Sequence, residues 1–439
     1  MSQLSIGIGL MGLGVIAGQV AKVLADKADD LAARVGCPVV LRRIKVLPQD
    51  LKRPRAKQMP AALFTTDEDE FFNEPGIDIV VEAIGGERPA YEYLRRALTS
   101  GKHAVTSNKE VIAKHGTELL ALAQENGVGL LYEASVGGGI PLIAPFKHDL
   151  VANEITGIFA IINGTTNYIL TRMAREGMDF AAALKEAQKL GYAEANPEND
   201  VEGYDARYKL AILASLAFQM KVMPEDIHCE GITRLAGRDF RYARDLNFAI
   251  KLLAIAKRSD GAIEARVHPV FIPADSFLAK VDGVYNCVQV EGDLVGRVLF
   301  MGEGAGPSAT SSAVVADIVA AARKIVLGIG SLSAWQPVSG KRIKPIDEIE
   351  TQYYVRLAAA DRPGVLAKIA TVFGNNKISI ASALQPESDD ITKTAEIVIM
   401  THPAREKAMQ KALKELAGLE VVNEISNCIR VEDIEGSES

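Results

Sequence analysis

The sequence predicts an α/β protein in three successive parts: a parallel sheet with helices on both faces, an α+β unit around a largely antiparallel sheet, and a small ferredoxin-like βαββαβ unit. Three observations carry that prediction. Over the first 135 residues short β-branched runs alternate with longer helical patterns, and the strands are too uniformly apolar to show period two, as strands buried on both faces are. Between Ile155 and about Met301, strand-like segments surround a block of helices instead of alternating with them. From residue 353 to 431 the order is strand, helix, strand, strand, helix, strand.

The first part (1–135) reads as a strand from Ser5 to Met11, a helix to about Arg34, and a strand from Val39 to Leu47. It continues with Asp78 to Ile84, a helix from Pro89 to Leu98, His103 to Thr106, a helix from Glu110 to Asn126, and Gly129 to Ala134. The second part (136–306) has strands at Ile158 to Ile162, Ala265 to Ile272, Tyr285 to Val290 and Val295 to Phe300. A helix from Ser311 to about Lys324, within 307–330, is expected to complete the first part. Residues 336–352 carry Pro337, Pro345, a Ser-Gly pair and mixed charges without apolar periodicity, a linker composition that implies few contacts across it. The third part (353–431) has strands at Tyr353 to Ala359, Ile378 to Ala383, Thr394 to Thr401 and Val421 to Val431, with helices at Leu366 to Asn375 and Ala404 to Leu416. The acidic tail beyond it is expected to be disordered.

With 439 residues, 48% hydrophobic and 24% charged, the chain has the composition of an ordinary folded protein with a sizeable core in each part. Its net charge of −7 opposes sustained contact with nucleic-acid phosphates, so small molecules are the expected partners. No apolar run reaches the roughly 18 residues of a membrane helix and no signal-peptide pattern opens the chain, so a cytoplasmic protein without a membrane partner is expected. Cys37, Cys229, Cys287 and Cys428 form no CxxC pair and suit reduced thiols, and no HExxH motif occurs.

Two registers of a dinucleotide fingerprint overlap: Gly7, Gly9, Gly12 and Gly12, Gly14, Ala17. The second lets a full strand precede the turn and starts the helix at Val15. It therefore places Gly12 and Gly14 where pyrophosphate approaches the backbone of a Rossmann-type domain. The second strand is followed by Pro48, Gln49 and Asp50, an ambiguous signal for the acid that binds the adenosine ribose. Around it stand Arg42, Arg43, Lys45, Lys52, Arg53, Arg55 and Lys57. A basic neighbourhood suits a ribose 2′-phosphate and favours NADP over NAD, with a solvated basic loop as the competing reading.

Residues 187–209 read AQKLGYAEANPENDVEGYDARYK, with five acids around one turn and a helix beginning near Asp205. On that helix Lys209 shares a face with Ile212, Leu213 and Leu216, and Asp205 lies one turn before it. The pair is expected to point inward, although an exposed i,i+4 pair is the commoner origin of such spacing. A lysine held beside a carboxylate in a partly dry cleft can give a proton to an alkoxide as it forms.

With these motifs in order, the chain resembles the homoserine dehydrogenase family. The resemblance rests on GLGVIA at Gly12, SNK at Ser107 to Lys109, EASVGGGIP from Glu133 and NGTTN from Asn163. It continues through Gly191, Pro197, Asp200, Gly203, Asp205 and Lys209 to GEGAG at Gly302 to Gly306. It implies NAD(P)-dependent interconversion of L-homoserine and L-aspartate 4-semialdehyde, toward threonine, methionine and isoleucine, in a homo-oligomer whose middle part serves catalysis and dimerisation. It puts the catalytic acid on Lys209, with Lys109 as a second proton donor, and the substrate-binding acids on Glu194 and Asp205. Cofactor contacts fall on Leu13, Val15, Ile16, Lys109, Gly191 and Gly306. A monovalent cation, sodium, falls on Glu133 with the carbonyls of Val136, Gly138 and Ile140, a run that by itself reads only as a glycine-rich turn. Ala17 in place of the third glycine and Glu110 after the SNK are departures from the family pattern.

Residues 353–431 resemble an ACT domain through DRPGVLAKIA at Asp361 to Ala370 and the NNKISI turn. That implies amino-acid feedback, threonine being the expected effector, with an assembly-only domain as the alternative. Two other functions compete. A semialdehyde dehydrogenase needs a cysteine nucleophile beside a base, a context none of the four cysteines has. A catalytically dead sensor has no use for an inward Asp205 and Lys209 pair.

Overall fold

A computed structural model of the chain describes residues 5–259, 261–329, 342–389 and 393–434. The described residues fall into two compact units, one of 5–155, 208–224 and 292–329, the other of 156–207, 225–291 and 342–434. Part of the expected linker, 336–341, and the tail residues 435–439 lie outside the described residues.

In the first unit a six-stranded sheet runs in the order Phe64–Thr65, Val39–Lys45, Ile6–Met11, Ile79–Glu82, His103–Thr106, Leu130–Leu131. Every pairing is parallel, with Ile6 opposite Val39, Ile8 opposite Ile79 and Val81 opposite Val105. The strand order reverses beside Ile6–Met11, which is where open parallel sheets of this kind leave a crevice at the strands' carboxyl ends. Helix Pro307–Val326 packs on helix Val15–Asp26 and puts Val314, Ile318 and Ala322 into the same core as Leu10, Val20 and Val81.

Two of the expected elements in this unit end earlier than the sequence predicts. The single helix to Arg34 is two, Val15–Asp26 and Ala28–Val35, because the backbone at Lys27 leaves helical values (φ −114°, ψ 24°). The strand expected to reach Ala134 stops at Leu131, and Glu133–Ser135 turns into a short 3-10 helix.

In the second unit the sheet order is Tyr285–Gly292, Ile155–Ile161, Phe248–Ser259, Ala262–Pro273, Val422–Val431, Glu350–Ala360, Thr394–Thr401, Ile380–Asp389. The strand Phe248–Ser259 is absent from the sequence reading. Its run FAIKLLAIA mixes helix-favouring Leu, Ala and Lys with continuous apolarity, and nothing but its partner distinguishes it from a buried helix. That partner is Ala262–Pro273, antiparallel from Ser259 opposite Ala262 to Phe248 opposite Pro273.

The expectation of few contacts to the C-terminal part does not hold. Strand Ala262–Pro273 pairs in parallel with Val422–Val431 (Val270 opposite Arg430, Phe271 opposite Val431), so the C-terminal sheet continues the preceding one. Three buried ion clusters cross the same seam. Arg266 donates to Glu432 at 2.6 Å and to Glu264 at 2.5 Å. Arg356 donates to Asp239 at 2.8 Å and to Glu396 at 3.0 Å. Arg430 joins Glu230 (2.9 and 3.0 Å) to Glu406 (both bonds 2.8 Å). The start of the tail is also packed, since Glu432 is buried in the first cluster and Ile434 lies in the core with Phe159 and Leu253. A linker's composition reports on the linker alone, and these contacts come from strands and loops far from it. The C-terminal part has the predicted βαββαβ order, with helices Val365–Asn375 and Glu406–Ala417.

Candidate active site

Strand Ile6–Met11 ends in Gly12, whose φ of +92° favours glycine and whose added Cβ would stand 2.8 Å from the Cγ2 of Ile84. Helix Val15–Asp26 follows, so the loop adopts the second register. Gly14 is its N-cap, with no side-chain cap on the first-turn amides and open space where a Cβ would lie. Backbone donors left uncapped beside open space suit a phosphate. A cavity of about 360 Å³ adjoins them, lined by Gly12, Leu13, Gly14, Leu47, Asp50 and Arg53 among others. Leu13 is buried, Val15 exposed and Ile16 partly buried. These residues fit a dinucleotide.

The basic cluster beyond the second strand is less free than its composition suggests. Arg43 donates to Glu74 at 2.9 Å, Lys45 lies buried 3.6 Å from Glu68, and Arg42 donates to Ser5. Asp50 is buried, accepts from the amide of Leu47 at 3.2 Å and pairs with Arg53 at 2.9 Å. The cavity therefore presents an acid and a base together. Residues 68–74, which supply the counter-charges, are distant in sequence, and counting charges between 42 and 57 could not include them.

At the carboxyl end of Ile79–Glu82, Glu82 is fully buried and accepts from the Thr106 hydroxyl at 2.5 Å and the Ile84 amide at 2.8 Å. Burial pushes its carboxyl above the usual range, against the hydrogen bonds from Thr106, Ile84, Gly85 and Asn108. Asn108, also buried, donates to the carbonyl of Gly86 at 2.7 Å and caps helix Lys109–Glu125 through the Val111 amide. This network fixes the start of the helix on which Lys109 is the first, half-buried residue. Sequence reasoning missed Glu82 and Thr106; the only available signal was an acid closing the apolar run IVVE.

Lys209 is half-buried on helix Tyr204–Phe218. From Tyr208 onward that helix belongs to the first unit, where the Nζ of Lys114 lies 5.7 Å from the Tyr208 ring centroid. Ile112, Gly116 and Leu120 of the Lys109 helix line a narrow cavity with Ala211, Ile212 and Ser215. Lys109 and Lys209 thus stand near the starts of two neighbouring helical segments.

Asp205, in the second unit, is buried. Its carboxylate accepts from the Nδ2 of Asn163 at 2.9 Å, and the same nitrogen donates to Asp200 at 2.7 Å. The Oδ1 of Asn163 accepts from the Thr166 amide and caps helix Gly164–Glu176. Two carboxylates gathered on one amide make an acceptor site for an ammonium group. Asn163 and Asp200 carry no assigned role in the sequence reading, although both lie in motifs it quotes. Glu194 is exposed in the turn after helix Phe180–Leu190, and the helix ends at Gly191 with φ +79°.

The Glu133 carboxylate accepts from three amides at the start of helix Ile143–Lys147: Leu142 at 2.6 Å, Ile143 at 2.8 Å and Ala144 at 2.7 Å. These bonds fix the carboxylate as a cap and leave acceptor capacity on its Oε2. Val136, Gly138 and Ile140 are buried, and an added Cβ on Gly138 would stand 2.6 Å from the carbonyl oxygen of Gly304. Gly306, with φ +114°, is the N-cap of Pro307–Val326.

Residues 141–319 match the family model described as homoserine dehydrogenase, 12–133 its NAD-binding domain and 353–421 the ACT domain. A homoserine dehydrogenase of Neisseria gonorrhoeae is 42% identical over 436 residues, covering 98% of this chain and 99% of that one. The chain belongs to the homoserine dehydrogenase family. A Bacillus subtilis homoserine dehydrogenase is 40% identical over 428 residues, with 98% of both chains covered. Among solved structures, a homoserine dehydrogenase from Thiobacillus denitrificans superposes with a TM-score of 0.91 at 41% identity over 98% of this chain and 99% of that one. A hyperthermophilic archaeal homoserine dehydrogenase in complex with NADPH superposes with a TM-score of 0.60 at 29% identity over 73% of this chain and 98% of that one. This homoserine dehydrogenase is thus an oxidoreductase with a nicotinamide-cofactor domain, a catalytic domain and a C-terminal ACT domain. Among the described residues no helix is long and apolar enough to cross a membrane.

Proposed function

We propose that the enzyme interconverts L-homoserine and L-aspartate 4-semialdehyde with NADP as the preferred cofactor, Lys209 carrying the proton and Asp205 and Glu194 holding the substrate. The observation that carries this reading is the placement of buried Asp205 and half-buried Lys209 one turn apart on helix Tyr204–Phe218. When bound, the nicotinamide supplies or accepts the hydride at the substrate carbon. In aldehyde reduction the Lys209 ammonium gives its proton to the oxygen that becomes the homoserine hydroxyl; in oxidation the neutral amine takes it back. Asp205, with Asp200 beside it on Asn163, meets the substrate ammonium and so fixes the far end of a short chain, which is the positioning a two-site reaction needs. Lys109 is the second proton carrier.

Gly12, Leu13, Gly14, Val15 and Ile16, with Lys109, Gly191 and Gly306, hold the cofactor, and Arg53 beside the glycine loop favours NADP over NAD. A monovalent cation, sodium, would be held by Glu133 with the main-chain carbonyls of Val136, Gly138 and Ile140. We assign residues 1–135 with 307–330 to cofactor binding, 136–306 to catalysis and dimerisation, 336–352 to a linker and 353–431 to regulation. The enzyme works in the cytoplasm as a homo-oligomer in threonine, methionine and isoleucine biosynthesis, with threonine acting through the ACT domain. Absorbance at 340 nm, followed with L-homoserine and each oxidised cofactor in turn, tests the reading. L-homoserine-dependent reduction, faster with NADP, is expected; no reduction with either cofactor contradicts it.

A further inference from the structure

Glu194, one of the two acids proposed to hold the substrate, is not held in place by its own side chain. It is exposed, and among the described residues its carboxylate has neither an ion-pair nor a hydrogen-bond partner. Its position is therefore set by the backbone of the turn that carries it, residues 191–197. The first stretch of that turn is tied down at once. Gly191 (φ +79°) reverses the chain after helix Phe180–Leu190, and the amides of Tyr192 and Ala193 both donate to the carbonyl of Ala187, at 2.9 and 3.2 Å. Ala193 is buried, and the carbonyl of Tyr192 accepts from the Thr165 hydroxyl at 2.6 Å. Thr165 lies on the helix that Asn163 caps, so this stretch is fastened to the helix start that gathers Asp200 and Asp205.

The second stretch, Glu194 and Ala195, is exposed and depends on one side chain. The Nε2 of Gln188 donates to the carbonyl of Glu194 at 3.1 Å and to that of Ala195 at 3.4 Å. Among the described residues neither carbonyl has another hydrogen bond. Gln188 is half-buried in the last turn of helix Phe180–Leu190, so the turn is stapled back onto the helix it leaves. Two carbonyl oxygens accept and cannot donate, so they fix the NH2 end of the amide toward themselves. The contact needs a donor, and a side chain of the same length without one does not replace it.

The two stretches serve different ligands. Gly191, proposed to contact the cofactor, belongs to the first and keeps its anchors on Ala187 and Thr165 whatever stands at position 188. Glu194 belongs to the second. Loss of the Gln188 donor therefore frees the substrate acid and leaves the cofactor residue in place.

We propose that Gln188 is a positioning residue for the substrate: its amide pins the main chain of Glu194 and so presents that carboxylate to the substrate ammonium. The inference rests on the assignment of Glu194 to the substrate made above. The test is steady-state kinetics with L-homoserine and NADP, paired with calorimetric titration of NADP, on the full chain. The set is wild type, Gln188→Leu, Gln188→Glu, Glu194→Ala and the double variant Gln188→Leu with Glu194→Ala. Gln188→Leu removes the donor and keeps the bulk. It should raise the L-homoserine KM about three- to tenfold, as loss of an ordinary hydrogen bond does, with kcat within about twofold and NADP affinity unchanged. Gln188→Glu should raise KM further, because a carboxylate would face two carbonyl oxygens. A packing role predicts the reverse order, since Glu matches Gln in shape better than Leu does. In the Glu194→Ala background Gln188→Leu should change KM by less than about twofold, because the residue acts through an acid already removed. The positioning role is overturned, and Glu194 keeps its assignment, by any of three results: a KM within about twofold of wild type in both Gln188 variants, the reverse order, or an undiminished effect without Glu194. NADP binding that weakens in step with KM overturns it as well, since the cofactor stretch would then depend on the same bond. If Glu194→Ala by itself leaves KM unchanged, the assignment of Glu194 falls and the role of Gln188 falls with it.

Discussion

The side-chain amide of Asn163 stands 2.9 Å from the buried carboxylate of Asp205 and holds Asp200 with its other proton. Asn163 also caps its own helix, so one residue ties a helix start to two acids 37 and 42 positions away. Asn163→Ala should raise the L-homoserine KM about 10- to 100-fold while changing kcat less, because it loosens ground-state positioning without touching Lys209, the proposed proton carrier. Steady-state kinetics decide this, and a KM within twofold of wild type would remove Asn163 from the site.

Deleting residues 346–439 should cost the fold as well as any regulation. The cut removes Arg356 from fully buried Asp239 and Glu432 from fully buried Arg266, together with the strand that pairs with Ala262–Pro273. Stranding the Asp239 charge typically costs about 3 to 5 kcal/mol, a large share of the roughly 5 to 15 kcal/mol that holds a domain together, while Arg266 loses one of its two carboxylates and keeps Glu264. Expected is an insoluble chain or one without a cooperative melt. A truncated enzyme melting within a few degrees of the intact one would show the seam to be dispensable.

Acid should weaken the same seam. Burial by itself would raise the Glu406 carboxyl, but the hydrogen bonds and charge of Arg430 outweigh it and hold the group below its usual 4.5. A lowered folded-state value means that the unfolded chain binds the proton first. The pairing therefore stabilises fully above the usual Glu range, and that stability is lost as pH falls below about 4.5 toward the folded-state value. Glu406→Gln should lower Tm at pH 7, and the gap from wild type should shrink as pH drops below that range. A gap that stays constant from pH 7 to pH 3 would assign the effect to packing.

The proposed preference for NADP rests on Arg53, which shares the glycine-loop cavity with Asp50 and pairs with it at 2.9 Å. Arg53→Ala should lower kcat/KM for NADP about tenfold and leave NAD within about threefold, because only the 2′-phosphate uses a guanidinium there. Equal losses for both cofactors would mean that Arg53 acts only by holding Asp50.

The glycine loop was legible because its chemistry is local: strand, Gly12, Gly14 and the helix at Val15 lie within one stretch of chain. The burial of Asp205 and half-burial of Lys209 on one helix were legible for the same reason, the two being one helical turn apart. What stayed hidden was long-range. Glu82 and Thr106 meet only because their strands are neighbours in the sheet, Glu68 and Glu74 reach the basic cluster from outside its window, and Arg430 meets Glu230 from 200 residues away. Strand Phe248–Ser259 hid behind its own apolarity, since periodicity cannot separate a doubly buried strand from a buried helix.

The measurement that bears most directly on the proposed chemistry is the turnover of Lys209→Met with saturating L-homoserine and NADP. Positioned proton transfer contributes about 100- to 10,000-fold, so kcat should fall by at least about 100-fold, while calorimetric titration still shows NADP binding. A variant that keeps more than about a tenth of wild-type turnover, a loss far smaller than general acid catalysis supplies, would contradict the assignment and move the proton to Lys109.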